Sequence, residues 1–141
     1  MSTAPDVTAA DIAAAIRRNL PDSTPGRIHR LLYLAQGHHL GWYSEPLFVD
    51  AVIVWDTGVV VPAIRNKELD GEPGTRGLHN GLLNTVGYVA SRYGGLHLHD
   101  LDLLTRHSGP VVEADKDRRA GTSVPVRHDA MVTYFRTVDI D

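Results

Sequence analysis

Residues 24–46 constrain this chain more than any other stretch, because proline is tolerated at the start of a helix and not inside one. Pro25 sits where the missing N–H does no harm, and Thr24 before it can cap the exposed amides of the first turn. Ser44-Glu45-Pro46 breaks the run. Between them RIHRLLYLAQGHHL has apolar residues at helical spacing, so a helix is expected over 25 to about 40. At about 100° per residue Ile28, Leu31, Leu32, Ala35, His39 and Trp42 share one side, which marks this as the central packing helix. His38 falls at the edge of that stripe.

The remaining elements follow from local signals. Thr8 and Asp11 form a capping box for a first helix, and Val7 and Ile12 stand where a hydrophobic staple would. Ile12, Ile16 and Leu20 give that helix one buried stripe, and Pro21 stops it. Over 47–61 β-branched and aromatic residues flank the turn Asp56-Thr57-Gly58, so a small β-hairpin is expected. Pro62 can open a helix, PAIRNKEL, ahead of the loop DGEPGTRG. Leu82, Val86, Val89 and Tyr93 mark a helix within 78–93 that Gly94-Gly95 ends.

LHLHDLDLLTRH alternates like a strand, but Asp100 as an N-cap with Leu101 and Leu104 on one side favours a short helix. EADKDRRAG reads as mixed-charge surface. A last helix over about 129–137 turns Met131, Tyr134, Phe135 and Val138 inward. No repeat or linker divides the chain. The expectation is a mainly α fold over 1–141: a compact single-domain helical bundle with a small hairpin around 47–61.

Composition removes several classes of function. A formal charge of −3 gives no general attraction for nucleic acid or acidic lipid, so neither is expected as the main partner. With no cysteine, disulfide scaffolds, thiol nucleophiles and cysteine-bound zinc are excluded. The N-terminal residues lack a signal-peptide pattern, and no apolar run nears the roughly 18 residues of a membrane helix. A soluble, cytoplasmic protein is expected.

The histidines invite a chemical reading. His38 and His39 are adjacent and so do not share a helix face, as two helical metal ligands must. His29 and His39 are roughly 15 Å apart along the axis. His97 and His99 would share a face only in a strand, and lack further ligands. No HExxH, GxSxG or Walker A pattern occurs, and no metal or cofactor is expected. His39 reads as a core histidine satisfied by hydrogen bonds. The competing enzyme reading makes it a general base with Asp50 or Asp56.

Surface candidates are of two kinds. Arg17, Arg18, Arg27 and Arg30 are either solvated helix surface or a basic face for an acidic partner. Trp42, Tyr43, Trp55 and the strand-like residues 48–61, Val59 among them, are either core or apolar anchors and an edge for pairing. His38, beside them, joins the candidate partner contacts.

RIHRLLYLAQGHHL, EPLFVDAVIVWDTGVVVP and LLTRHSGPV together resemble the Panacea domain family of bacteria and phages. The similarity spans nearly the whole chain. Leu31, Leu32, Tyr33, Ala35, Gln36, Gly37, His39 and Leu40 match its first block. Pro46, Leu47, Phe48, Trp55, Gly58, Val60, Val61 and Pro62 match the second, and Thr105 and Pro110 the third. Four positions depart from the pattern. His38 replaces a tryptophan, Val59 a proline, Arg106 a histidine (with His107 one position late) and Val111 a second tryptophan.

The resemblance implies an antitoxin that neutralises a toxin encoded beside it by direct protein–protein contact. Family toxins include alarmone-synthetase-like enzymes and membrane-active peptides. A related member resembles a proteolytic adaptor, so delivery of a partner to a cytoplasmic protease is the alternative. A third reading is the His-dependent enzyme, and autoregulation by DNA binding a fourth. Self-association is compatible with all of them.

Overall fold

Helix α2 (Pro25–Tyr43) is the element on which the others pack. Its N-terminus is built as the sequence predicts: Thr24 Oγ1 accepts the Arg27 N–H at 3.4 Å and Pro25 fills the first turn. It runs to Tyr43, past the expected end, because Ser44 closes it in the left-handed region at φ 59° with its N–H on the Leu40 carbonyl. Arg136 extends that cap, donating to the Gly41 carbonyl at 3.1 Å and to Ser44 Oγ at 2.7 Å. Every residue from 31 to 41 is buried, so α2 is enclosed on all sides rather than along one stripe.

The computed structural model describes residues 7–64 and 80–138. Among them α2 is joined by α1 (Ala9–Asn19), α3 (Asn80–Tyr93), α4 (Leu98–Arg106), α5 (Gly109–Asp115) and α6 (His128–Val138). Strands β1 (Ile53–Trp55), β2 (Gly58–Val60) and β3 (Val124–Pro125) form one antiparallel sheet in the order β2-β1-β3. The fold is therefore mainly α, as expected. Two elements go beyond the sequence reading, namely α5, inside a stretch taken partly as charged surface, and β3, which makes β1 a central strand.

The hairpin is shorter than expected, since residues 47–50 are bends and not strand. Gln36 is the reason. Its buried side-chain amide accepts the Leu47 and Phe48 N–H groups at 2.6 and 3.3 Å and donates to the Phe48 carbonyl at 3.1 Å. This segment's backbone is satisfied by a side chain instead of a neighbouring strand. Of the hairpin strands only β1 is enclosed, and β2 stays at the edge of the sheet. β3 covers β1, the Val61 N–H after β2 donates to His29 Nδ1 at 3.0 Å, and Pro125 leaves the outer strand without one donor.

α1 carries the expected capping box, Asp11 N–H to Thr8 Oγ1 at 3.2 Å and Thr8 N–H to Asp11 Oδ2 at 3.1 Å. It buries Ile12 and Ile16 against α2 and α3. α4 begins before Asp100, with His97 at the N-cap, so its inner stripe runs through Leu101 and Thr105. Leu104, expected inside, is 39% exposed. In α6 Met131 and Phe135 are buried, while Tyr134 and Val138 are half-buried. Pro62 opens a 3-10 turn, Pro62–Ile64; the rest of the helix expected there and the DGEPGTRG loop lie outside the described residues.

The candidate protein-binding surface

Most residues that carry the resemblance hold the fold. Tyr33 donates its buried hydroxyl to Ser108 Oγ at 2.7 Å, and Ser108 passes its own proton to the Thr105 carbonyl at 2.7 Å. Burial pushes the Tyr33 phenol far above its ordinary value, so it stays a neutral donor. Thr105 in turn donates to the Leu101 carbonyl at 2.9 Å. Pro110 sits in the first turn of α5, buried, and Leu31 and Leu32 are core. Gly37 faces α6 so closely that a β-carbon there would overlap the Phe135 ring.

The histidines of α2 are committed to separate elements. His29 accepts from Val61, His38 Nε2 meets the Tyr93 hydroxyl at 2.7 Å, and His39 Nδ1 meets Thr85 Oγ1 at 2.8 Å. Thr85 donates its one hydroxyl hydrogen to the Gly81 carbonyl, so it receives one from His39 Nδ1–H. The carboxylates named for an enzyme are used elsewhere as well: Asp50 accepts the Ala9 N–H at 2.7 Å and Asp56 binds Arg118 and Gly121. Among the described residues no group of three or more His, Asp or Glu is placed to hold a metal ion.

Burial takes several partner-binding candidates off the surface. His38 is 0% exposed and lies among the rings of Trp42, Tyr88, Tyr93 and Phe135. Val59 is core, Gly58 is buried, and Trp55 is half-buried on β1. Arg27 donates to the Gly94 carbonyl at 2.7 Å, and Arg30 is wrapped by Asp102 at 2.8 Å, the Gly26 carbonyl at 3.0 Å and the Thr57 carbonyl at 2.6 Å. These two arginines face the fold rather than a partner, because α3–α4 and the hairpin turn close over that side of α2.

Arg30 belongs to a clamp on the hairpin turn. Asp102 bridges Arg30 and Arg106, and Asp56 at the turn accepts from Arg118 and from the Gly121 N–H at 3.0 Å. Burial alone would raise the Asp102 carboxyl, but the hydrogen bonds from Arg106 and Arg30 outweigh it and hold it below the ordinary carboxylate range. Arg118, then Gly121, hold Asp56 below it too. A carboxyl lowered in the folded state binds its proton first in the unfolded chain, so stability is retained above roughly pH 4 and lost as pH falls below it. Urea midpoints measured from pH 7 to 3 are expected to stay nearly level to about pH 4 and then drop. The drop should be shallower in Asp102→Asn; an identical profile in that variant would remove Asp102 from the acid response.

Two candidates remain on the outside. The last turn of α2 extends beyond the core and leaves Trp42 38% and Tyr43 52% exposed. Trp42 meets Tyr88 of α3 edge-on at 4.9 Å and Tyr43 lies over His39 at 4.6 Å, so the pair is held rigidly by rings beneath it. The sequence reading missed a second feature, a groove between α5 and α6 lined by Pro110, Glu113, Ala130 and Tyr134. Its signal was present as Pro110, Glu113, Ala114 and Asp117, spaced three, four and seven residues apart. No helix among the described residues is long and apolar enough to cross a membrane. Comparison with protein-family models, with curated proteins and with solved structures finds nothing that matches this chain.

Proposed function

We propose that this chain is a cytoplasmic protein-binding domain of the Panacea type, acting as the antitoxin of a toxin–antitoxin pair by direct contact with its toxin and not by catalysis. The observation that carries the reading is the Trp42–Tyr43 corner, two large aromatic side chains exposed on a rigid helix end. Tryptophan and tyrosine dominate the energetics of protein interfaces because they bury much area at small entropic cost. The sequence resemblance supplies the kind of partner. His29, His38 and His39 being occupied within the fold supports binding over acid–base chemistry.

Co-expression with the product of the adjacent gene tests it. The neighbour should arrest growth alone, be harmless beside this chain, and co-purify with it. Trp42→Ala should weaken the complex roughly 30-fold, the equivalent of about 2 kcal/mol, while the chain, though less stable for loss of the ring packed on His38 and Tyr88, stays folded. A neighbour that is harmless on its own would sink the antitoxin reading. If rescue comes with a shortened toxin half-life, the contact serves delivery to a protease instead of neutralisation.

A further inference from the structure

The Trp42–Tyr43 corner stands on the weakest turn of α2. Gly41, just before it, has no side chain because α6 comes so close: a β-carbon there would lie 3.1 Å from Phe135 Cβ and 3.3 Å from the Arg136 backbone nitrogen. Glycine is the poorest helix former after proline, so the turn that carries both aromatic side chains hangs on a flexible residue. The last carbonyls of a helix also lack partners within it, and such ends fray. The Leu40 carbonyl takes the Ser44 N–H, whereas the Gly41 carbonyl depends on a side chain from α6.

Arg136 supplies that brace. Its Nε–H donates to the Gly41 carbonyl at 3.1 Å and its Nη2 to Ser44 Oγ at 2.7 Å, so one planar group grips the chain on both sides of Trp42 and Tyr43. Two bonds from a rigid guanidinium fix orientation as well as distance. Arg136 lies in the last turn of α6, so the negative ends of two helices meet around one cation. Among the described residues Arg136 is in no ion pair, and the nearby Glu45 does not draw it away. The rings beneath the corner act differently. Tyr88 beside Trp42 and His39 beneath Tyr43 hold the side chains, but neither holds the helix end against α6.

We propose that Arg136 is the positioning residue of the aromatic corner, acting through Trp42 and Tyr43 and not by touching the partner. It keeps the two anchors in their binding geometry before the partner arrives, so their ordering is not charged against affinity. The consequence for binding rests on the protein-binding reading, and the brace itself does not.

Relaxation of the ¹⁵N-labelled full chain, with no partner added, reads the brace directly. Order parameters at the Trp42 and Tyr43 amides should be near roughly 0.85 in the native chain and fall towards roughly 0.6 in Arg136→Met, while those of residues 31–36 stay unchanged. Ser44→Ala, which removes one of the two acceptors, should give a smaller fall at the same residues, and it decides the matter if the methionine variant does not fold. Unchanged order at 42 and 43, or a loss spread evenly along α2, would overturn the proposal.

Affinity gives the second readout. Arg136→Met should bind the neighbouring gene product about tenfold more weakly. In a Trp42→Ala background the same change should cost roughly threefold or less, because the larger anchor it positions is gone. A tenfold loss undiminished there would mean that Arg136 touches the partner or acts elsewhere, and positioning would be refuted. If the neighbour does not bind at all, the antitoxin reading falls, and the relaxation result still decides whether Arg136 holds the corner.

Discussion

Alanine at Gly37 is expected to destabilise the protein by roughly 3 kcal/mol, although alanine is the better helix former. On propensity alone, glycine to alanine inside a helix gains about 1 kcal/mol. At Gly37 that gain is overwhelmed, because the added β-carbon would lie 2.5 Å from Phe135 Cζ and closer still to two other ring atoms. One turn on, a β-carbon at Gly41 would stand 3.3 Å from the Arg136 backbone nitrogen, so α6 cannot simply retreat along the contact. The collision falls at the most extensive helix–helix contact of the fold, between α2 and α6, and Phe135 is itself packed on Tyr33 and His38. For a chain of this size the change corresponds to a fall in Tm of roughly 6–12 °C.

Gly87 is the control. It also lies within a helix, but nothing among the described residues comes within 4 Å of a β-carbon there, so Gly87→Ala should raise stability by up to about 1 kcal/mol. Opposite signs at the two glycines, read from urea midpoints, are the result expected. In a Phe135→Leu background most of the Gly37→Ala penalty should disappear. A penalty unchanged there would mean that the ring is not what the alanine meets.

Gly37 and Gly41 explain what the sequence did and did not disclose. Capping residues are local signals, so the starts of α1 and α2 and the stop at Pro21 were legible. The encirclement of α2 was not. A projection of 28–42 finds one apolar stripe, and places His38 at its edge, because it counts side-chain hydrophobicity. His38 is buried by aromatic neighbours from α3 and α6, and α6 comes close because Gly37 and Gly41 have no side chains. Absent atoms leave no trace in a hydrophobic pattern.

α5 and β3 were missed for a related reason. A helix of 7 residues and a strand of 2 are too short to show a period, and both exist through tertiary contacts: Pro110 and Val111 are buried, and the Val126 N–H is taken by the Val52 carbonyl. The α5–α6 groove went unseen with them, while the exposed Trp42–Tyr43 corner was legible as a candidate because its residues are large and lie at a predicted helix end. The hairpin turn was legible in position. Its dependence on Asp102, far along the chain, was not.

That dependence sets the second large effect. Alanine at Gly58 should cost about 3 kcal/mol, from two sources that can be measured apart. Asp56 and Thr57 keep negative φ, so the turn is not one with left-handed residues at its centre; the positive φ falls on Gly58, at 111°. A side chain there is strained whatever surrounds it, by roughly 1–2 kcal/mol. In addition a β-carbon would stand 2.9 Å from Asp102 Oδ1 and 3.0 Å from Arg30 Nη2. The salt bridge that clamps the turn therefore occupies the space an alanine needs. Arg30 is also the donor to the Thr57 carbonyl, so pushing it aside loosens the turn it holds. In an Asp102→Ala background the steric part should vanish and the backbone part remain, so Gly58→Ala should cost about 1–2 kcal/mol there instead of 3. If the two substitutions are additive, Asp102 is not the obstacle, and glycine is required at this turn by its backbone alone.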